Sequence, residues 1–120
     1  LETLLTARAI PIVSPISLGL DGHTYNVNAD HAAAAISCAL QAEELVFLTN
    51  VPGVLAEEEG ECLPALTSEQ VDALIAEGII SGGMVPKVRS ALSALERGVA
   101  SVRITDLDGL ATESGTCFTH

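Results

Sequence analysis

At 120 residues the chain is one domain at most, and with 48% apolar residues it can bury a core of its own. A formal charge of −11, from five basic against 16 acidic side chains, argues against nucleic acid and against an anionic membrane face as partners, since both need clustered Lys and Arg. Phe47, Phe118 and Tyr25 are the aromatic residues, which favours tight layers of helix on sheet over a barrel or a base-stacking platform.

Residues 1–8 read as the end of a helix, and the opening Leu1-Glu2-Thr3-Leu4-Leu5, without a methionine, suits a part of something longer. Ile10-Pro11-Ile12-Val13-Ser14 is short, apolar and β-branched, which predicts a buried strand whose pairing the prolines restrict. Within residues 18–25, Asp21-Gly22 predicts a hairpin turn. A helix follows Asp30 and runs to about Glu43. Glu44-Leu45-Val46-Phe47-Leu48-Thr49 is the next apolar strand, ended by Asn50-Val51-Pro52-Gly53. Strand, helix and strand in that order predict a parallel crossover from residues 10–14 to residues 44–49. Residues 54–55 and 62–63 flank an acidic turn, read as an exposed hairpin with Glu57-Glu58-Glu59 at its solvated tip.

Thr67 or Ser68 caps the following helix, with Gln70 at capping-box spacing from Thr67. Val71, Leu74 and Ile75 share its apolar face, and Gly78 stops it. Another helix begins after Ser81-Gly82-Gly83-Met84. Pro86 sits in its first turn, where a missing N–H costs nothing, and Val88, Leu92 and Leu95 recur at helical spacing. Gly98 ends it. Residues 99–105 predict a core strand, residues 106–114 a polar loop, and residues 115–118 a short final strand. The expected fold is a three-layer α/β/α sandwich with a mostly parallel sheet. Cys38, Cys62 and Cys117 lack Cys-x-x-Cys spacing and the three histidines lack metal-ligand spacing, so reduced thiols and no metal site are expected. No apolar run is long enough to span a membrane and no basic-then-apolar signal segment is seen. A cytoplasmic protein is the expectation.

Two stretches carry chemistry. In Asn26-Val27-Asn28-Ala29-Asp30 three short polar side chains lie two apart, which points them to one side of an extended strand end. Asn28 or Asp30 can cap the helix that follows, and a capped helix start is the plain reading. A helix N-terminus with converging polar groups also suits an anionic ligand. In Ser81-Gly82-Gly83 the backbone is unshielded, so its N–H groups can approach a ligand closely. Lys87 falls in the first turn of the next helix, where the helix dipole disfavours a cation. A bound phosphate would account for it; a glycine hinge followed by an exposed lysine is the plain alternative. Together the stretches could hold a small polar substrate on Asn26 and Asn28, orient Lys87 through Asp30, and neutralise phosphate oxygens. Phosphoryl transfer to an acceptor that is already an anion needs mainly positioning and charge stabilisation.

At these residues the chain resembles the C-terminal, nucleotide-binding half of the amino acid kinase family, most closely its acetylglutamate kinase branch. The matching pieces are Ile10-Pro11-Ile12-Val13-Ser14-Pro15-Ile16, Asn26-Val27-Asn28-Ala29-Asp30, Leu48-Thr49-Asn50-Val51-Pro52-Gly53-Val54 and Ile80-Ser81-Gly82-Gly83-Met84-Val85-Pro86-Lys87-Val88, and the resemblance extends to about Arg103. It implies transfer of the γ-phosphoryl of MgATP to the side-chain carboxylate of N-acetyl-L-glutamate, for arginine synthesis. Asn26 would bind the substrate's α-carboxylate with Asn28 beside it, Asp30 would orient lysines, and Lys87 would stabilise the transferring phosphoryl. Thr49, Asn50, Val51 and Gly53, with Ser81, Gly82, Gly83 and Met84, would cover the nucleotide, and Mg2+ would be held by phosphates and water. A homo-oligomer is implied for the complete protein. Three departures stand out. The family's N-terminal substrate half is not in this sequence. Asn50 stands where an aspartate is usual. The stretch 106–115 is short, so the helix expected there would be missing.

Overall fold

Leu45 and Phe47 alternate with more polar or exposed neighbours along one stretch, and Val102 and Ile104 alternate along another; these become adjacent strands of the main sheet. The structure, a computed structural model, describes residues 1–57 and 60–119. In chain order it runs α1 (Glu2–Thr6), β1 (Ile16–Leu18), β2 (Thr24–Asn26), α2 (Ala29–Ala39), β3 (Glu44–Leu48), β4 (Ala65–Leu66), α3 (Ser68–Ala76), α4 (Met84–Glu96), β5 (Ser101–Thr105), α5 (Leu107–Thr112) and β6 (Thr116–Phe118). The main sheet has the order β3-β5-β6-β4. β3 pairs parallel with β5 (Glu44↔Ser101 through Leu48↔Thr105), β4 pairs parallel with β6, and β5 and β6 are antiparallel (Ile104↔Thr116). The class is therefore the expected one, α/β with a mostly parallel sheet flanked by helices.

The core lies under α4. That helix buries Val88, Ala91, Leu92, Ala94 and Leu95 against Val102 and Ile104 of β5, Phe47 of β3 and Phe118 of β6. Its apolar residues fall three and four apart, so one face meets the sheet and the other is left for α2 and solvent. Arg103 is buried as well. Its Nε donates to Glu44 Oε1 (3.1 Å) and its Nη1 to the Ser114 carbonyl (3.4 Å), tying β5 to β3 and to the segment before β6.

The hairpin at Asp21-Gly22 is present as β1–β2, with Ser17 opposite Tyr25. The Tyr25 hydroxyl donates to Asp21 Oδ2 (2.6 Å). That bond holds the Asp21 carboxyl below its ordinary range, helped by the His23 amide, and pushes the Tyr25 phenol up. The acidic hairpin is closed by a Leu55↔Cys62 bridge; Glu58 and Glu59 of its expected tip lie outside the described residues. Thr67 caps α3 in a full capping box: Gln70 N donates to Thr67 Oγ1 (3.4 Å) and Thr67 N to Gln70 Oε1 (2.9 Å). Thr67→Ala should cost about 1 kcal/mol. A urea titration of the two chains checks this, and coincident midpoints would mean the cap adds no net stability.

Four expectations need correction. Residues 10–14 form no strand: Ile10 is 90% and Ile12 98% exposed. Pro11 and Pro15 cannot donate to a ladder, and no described strand lies beside them to reward pairing. The parallel partner of β3 is instead β5, and the chain between them passes through β4, α3 and α4. The helix after Asp30 ends at Ala39 instead of running to about Glu43. Gln41 takes the left-handed conformation (φ 51°), Gln41 N donates to Cys38 O (3.2 Å) and Ala42 N to Ser37 O (2.9 Å). That is a Schellman closure made without the glycine that usually signals it. Residues 106–114 are not a loop, and the helix thought missing is there as α5: Asp106 Oδ1 accepts from Gly109 N (2.7 Å) and starts it. Finally β4, two residues long, was not expected at all.

Candidate functional site

Asn28 is the N-cap of α2. Its Oδ1 accepts from the backbone N–H of Asp30 (2.9 Å) and of His31 (3.1 Å), so the capping question resolves to Asn28. The extended stretch stops at Asn26, the end of β2, and Asp30 already lies in the first helical turn. The three side chains are therefore not on one side of a strand end, as their spacing predicts. Freed from capping, the Asp30 carboxylate faces α4.

There it meets Lys87, 57 positions further on, whose Nζ donates to Asp30 Oδ1 at 2.8 Å. The two side chains are only 16% and 20% exposed. The ammonium also stands 5.3 Å from the centre of the Phe47 ring, within cation–π range. Lys87 sits near the positive end of the α4 dipole, and Asp30 supplies the compensating charge that sequence reasoning sought in a phosphate. Two distant motifs are thus joined in one partly buried ion pair. Phe47 was read only as a core aromatic; nothing in the sequence marks it as the floor under a lysine.

Ser81, Gly82 and Gly83 form the turn that opens α4. Met84 N donates to Ser81 O (3.2 Å) and Val85 N to Gly82 O (3.3 Å), with Gly82 at φ 54°. Among the described residues the amides of Gly82 and Gly83 have no acceptor, and a side chain at either position would meet only open space. The predicted nucleotide residues divide here. Val51, Gly53, Ser81 and Met84 share one cleft of about 180 Å³, with Leu55, Ile79 and Ile80 in its wall. Thr49, Asn50, Gly82 and Gly83 are outside its lining: the Thr49 amide donates to Thr105 O (2.9 Å) and its hydroxyl to Asn50 Oδ1 (3.3 Å). Lys87 is three residues beyond Met84, so cleft and ion pair follow one another along the same helix face. A larger cleft of about 470 Å³ between α1 and α2 contains none of these residues and lacks converging charged groups other than Glu2, so volume alone does not locate the chemistry. Among the described residues there is no group of three His, Cys, Asp or Glu side chains placed to hold a metal, and no helix long and apolar enough to cross a membrane.

The sequence profile of the amino acid kinase family matches residues 1–106. The chain belongs to the amino acid kinase family. It is 56% identical to the acetylglutamate kinase of Roseiflexus castenholzii over 116 residues, 97% of this chain and 43% of that protein. Among solved structures, smu.665 from Streptococcus mutans UA159 superposes with a TM-score of 0.86 at 39% identity, covering 98% of this chain and 46% of its own. N-acetylglutamate synthase from Neisseria gonorrhoeae, in complex with coenzyme A and L-arginine, gives a TM-score of 0.85 at 28% identity, over 98% of this chain and 29% of that one. The chain thus spans less than half the length of the relatives it matches, and the likeness continues past Arg103 through the last strand.

Proposed function

We propose that this chain is the C-terminal, ATP-binding portion of an acetylglutamate kinase, which transfers the γ-phosphoryl of MgATP to the side-chain carboxylate of N-acetyl-L-glutamate. The observation that carries the reading is the Lys87–Asp30 pair, held at two helix starts beside the Gly82-Gly83 turn. Bound ATP would bring the reactive phosphoanhydride, with Mg2+ riding on its phosphates and water. The residues fit that group in kind. The free Gly82 and Gly83 amides and the Lys87 ammonium are donors to phosphate oxygens. The cleft is smaller than the roughly 300–1,000 Å³ of a typical ligand site, so it suits one part of a nucleotide.

In this reading Lys87 neutralises charge on the transferring phosphoryl, and Asp30 fixes where the ammonium stands. Because the acceptor carboxylate is already an anion, no side chain has to act as a base. Asn26 offers an amide to the substrate's α-carboxylate, while Asn28 acts through the cap that presents Asp30. Acetylaminoadipate differs from acetylglutamate by one methylene, a difference worth only about 1–3 kcal/mol in a pocket.

A second reading is a non-catalytic nucleotide-binding or regulatory module, kept open by the likeness to the N. gonorrhoeae synthase, whose name is not that of a kinase. Calorimetric titration of the chain with a non-hydrolysable MgATP analogue tests the first reading. Saturable binding that weakens in Lys87→Ala is expected. A folded chain that takes up no nucleotide would overturn the placement of the ATP site in this portion. Turnover of acetylglutamate by the complete protein separates enzyme from regulatory domain.

A further inference from the structure

A second convergence of polar groups lies in the groove between α2 and α4, away from the Gly82-Gly83 turn. The groove encloses about 220 Å³ and is lined by His31, Ala34, Arg89, Ser90, Ser93 and Arg97. We infer that it is a binding site for a small oxyanion, of the size of inorganic phosphate or a short dicarboxylate. The inference does not rest on the kinase reading.

Three observations carry it. First, Ser90 is only 3% exposed, and its hydroxyl is buried with no hydrogen-bond partner among the described residues. A buried serine inside a helix usually bonds the carbonyl four residues back, and this one does not. Buried polar groups left without a partner are rare and call for an explanation. Second, Arg97 forms no ion pair among the described residues, and Arg89 forms one only with Asp72 (2.6 Å), where both partners are half-exposed and the bond is worth little. Two of the five cations of a chain with net charge −11 therefore line one small cavity. A position at the end of α4 favours a cation at Arg97, but it explains neither the orphan hydroxyl nor the concavity. Third, the donor set is mixed and comes from two helices. Guanidinium groups, two hydroxyls and the His31 imidazole together match an oxyanion, which accepts bonds from every side. The volume falls below that of a nucleotide or drug-sized ligand.

Two-dimensional amide NMR of the chain tests this, with sodium phosphate in one arm, sodium succinate in a second and sodium chloride as control at matched ionic strength. Saturating shifts are expected at His31, Ala34, Ser90 and Ser93, with a dissociation constant on the order of 1 mM. Arg97→Gln, an exposed and helix-compatible change, should weaken binding about tenfold. Ser90→Ala should weaken it as well while leaving the rest of the spectrum in place. The tighter of the two anions identifies the ligand class. Lys87→Met should leave the groove shifts unchanged, which separates this site from the phosphate contacts proposed above. Equal shifts with chloride, absence of saturation, unchanged affinity in Arg97→Gln, or loss of the shifts in Lys87→Met would each overturn the inference.

Discussion

Replacing Lys87 with alanine in the complete protein, if it is the proposed kinase, is expected to lower kcat by about 10²–10³-fold while the protein still folds. Among the described residues the lysine is the one cation at the head of α4 next to free backbone amides, and it is fixed there from two sides. Asp30 binds it at 2.8 Å and the Phe47 ring lies 5.3 Å away. Charge placed in advance lowers a barrier because nothing has to reorganise as charge develops on the phosphoryl group. The loss in stability should be smaller, about 1–3 kcal/mol, because Asp30 is left without its partner but is 20% exposed and can recruit water. Methionine at position 87 keeps the apolar stem over Phe47 and should recover part of that stability without recovering rate. Steady-state kinetics and thermal melts of the three proteins check both halves. An alanine variant that keeps most of its kcat would exclude the proposed role.

The largest loss of stability should follow Gly115→Ala. Gly115 takes φ 131°, and a Cβ there would stand 2.5 Å from the Ile104 carbonyl oxygen and 2.8 Å from Thr105 Cβ. Both contacts belong to β5, the strand between β3 and β6, and the nearest one is backbone that cannot swing aside. Strain at the left-handed conformation and overpacking each cost about 1–3 kcal/mol. Their sum, roughly 2–6 kcal/mol, is a large share of the about 5–15 kcal/mol that holds a domain together. Gly83→Ala is the control, since a Cβ at that position meets nothing within 4 Å. Denaturant midpoints should separate widely between the two variants. A Gly115→Ala chain as stable as the parent would mean that the β5–β6 junction yields more easily than its geometry allows.

Much of the architecture was legible because it rests on local signals that agree with one another. Thr67 and Gln70 announce α3, a short apolar run announces β3, and the spacing of Val88, Leu92 and Leu95 announces the buried face of α4. What escaped was set by geometry that composition does not encode. Gln41 closes α2 in a conformation usually given to glycine. Asp106 starts a helix in a stretch whose glycine, threonine and serine read as a loop. Residues 10–14 have the composition of a strand but no partner strand among the described residues. At the site, complementary charge brought Asp30 and Lys87 into one hypothesis, and the fold joins them directly. Sequence alone could not tell that Asn28 does the capping, that Phe47 underlies the lysine, or that Thr49 and Asn50 stand apart from the cleft. Those depend on contacts between residues far apart in the chain.

The position of β5 has a consequence for how the molecule is made. This strand touches both β3 and β6 and carries Val102 and Ile104 into the centre of the core, yet it comes at residues 101–105, long after its partner β3 at Glu44–Leu48. On the ribosome, Leu45 and Phe47 of β3 emerge well before the strand that pairs with theirs. Until it arrives they remain in water, where exposed apolar surface promotes aggregation. Pairings between residues this distant also close slowly. Nascent chains stalled before Ser101 are thus the stage at which this sequence depends most on chaperones, and the Lys87–Asp30 pair gains its Phe47 floor in final form only once β5 pairs with β3.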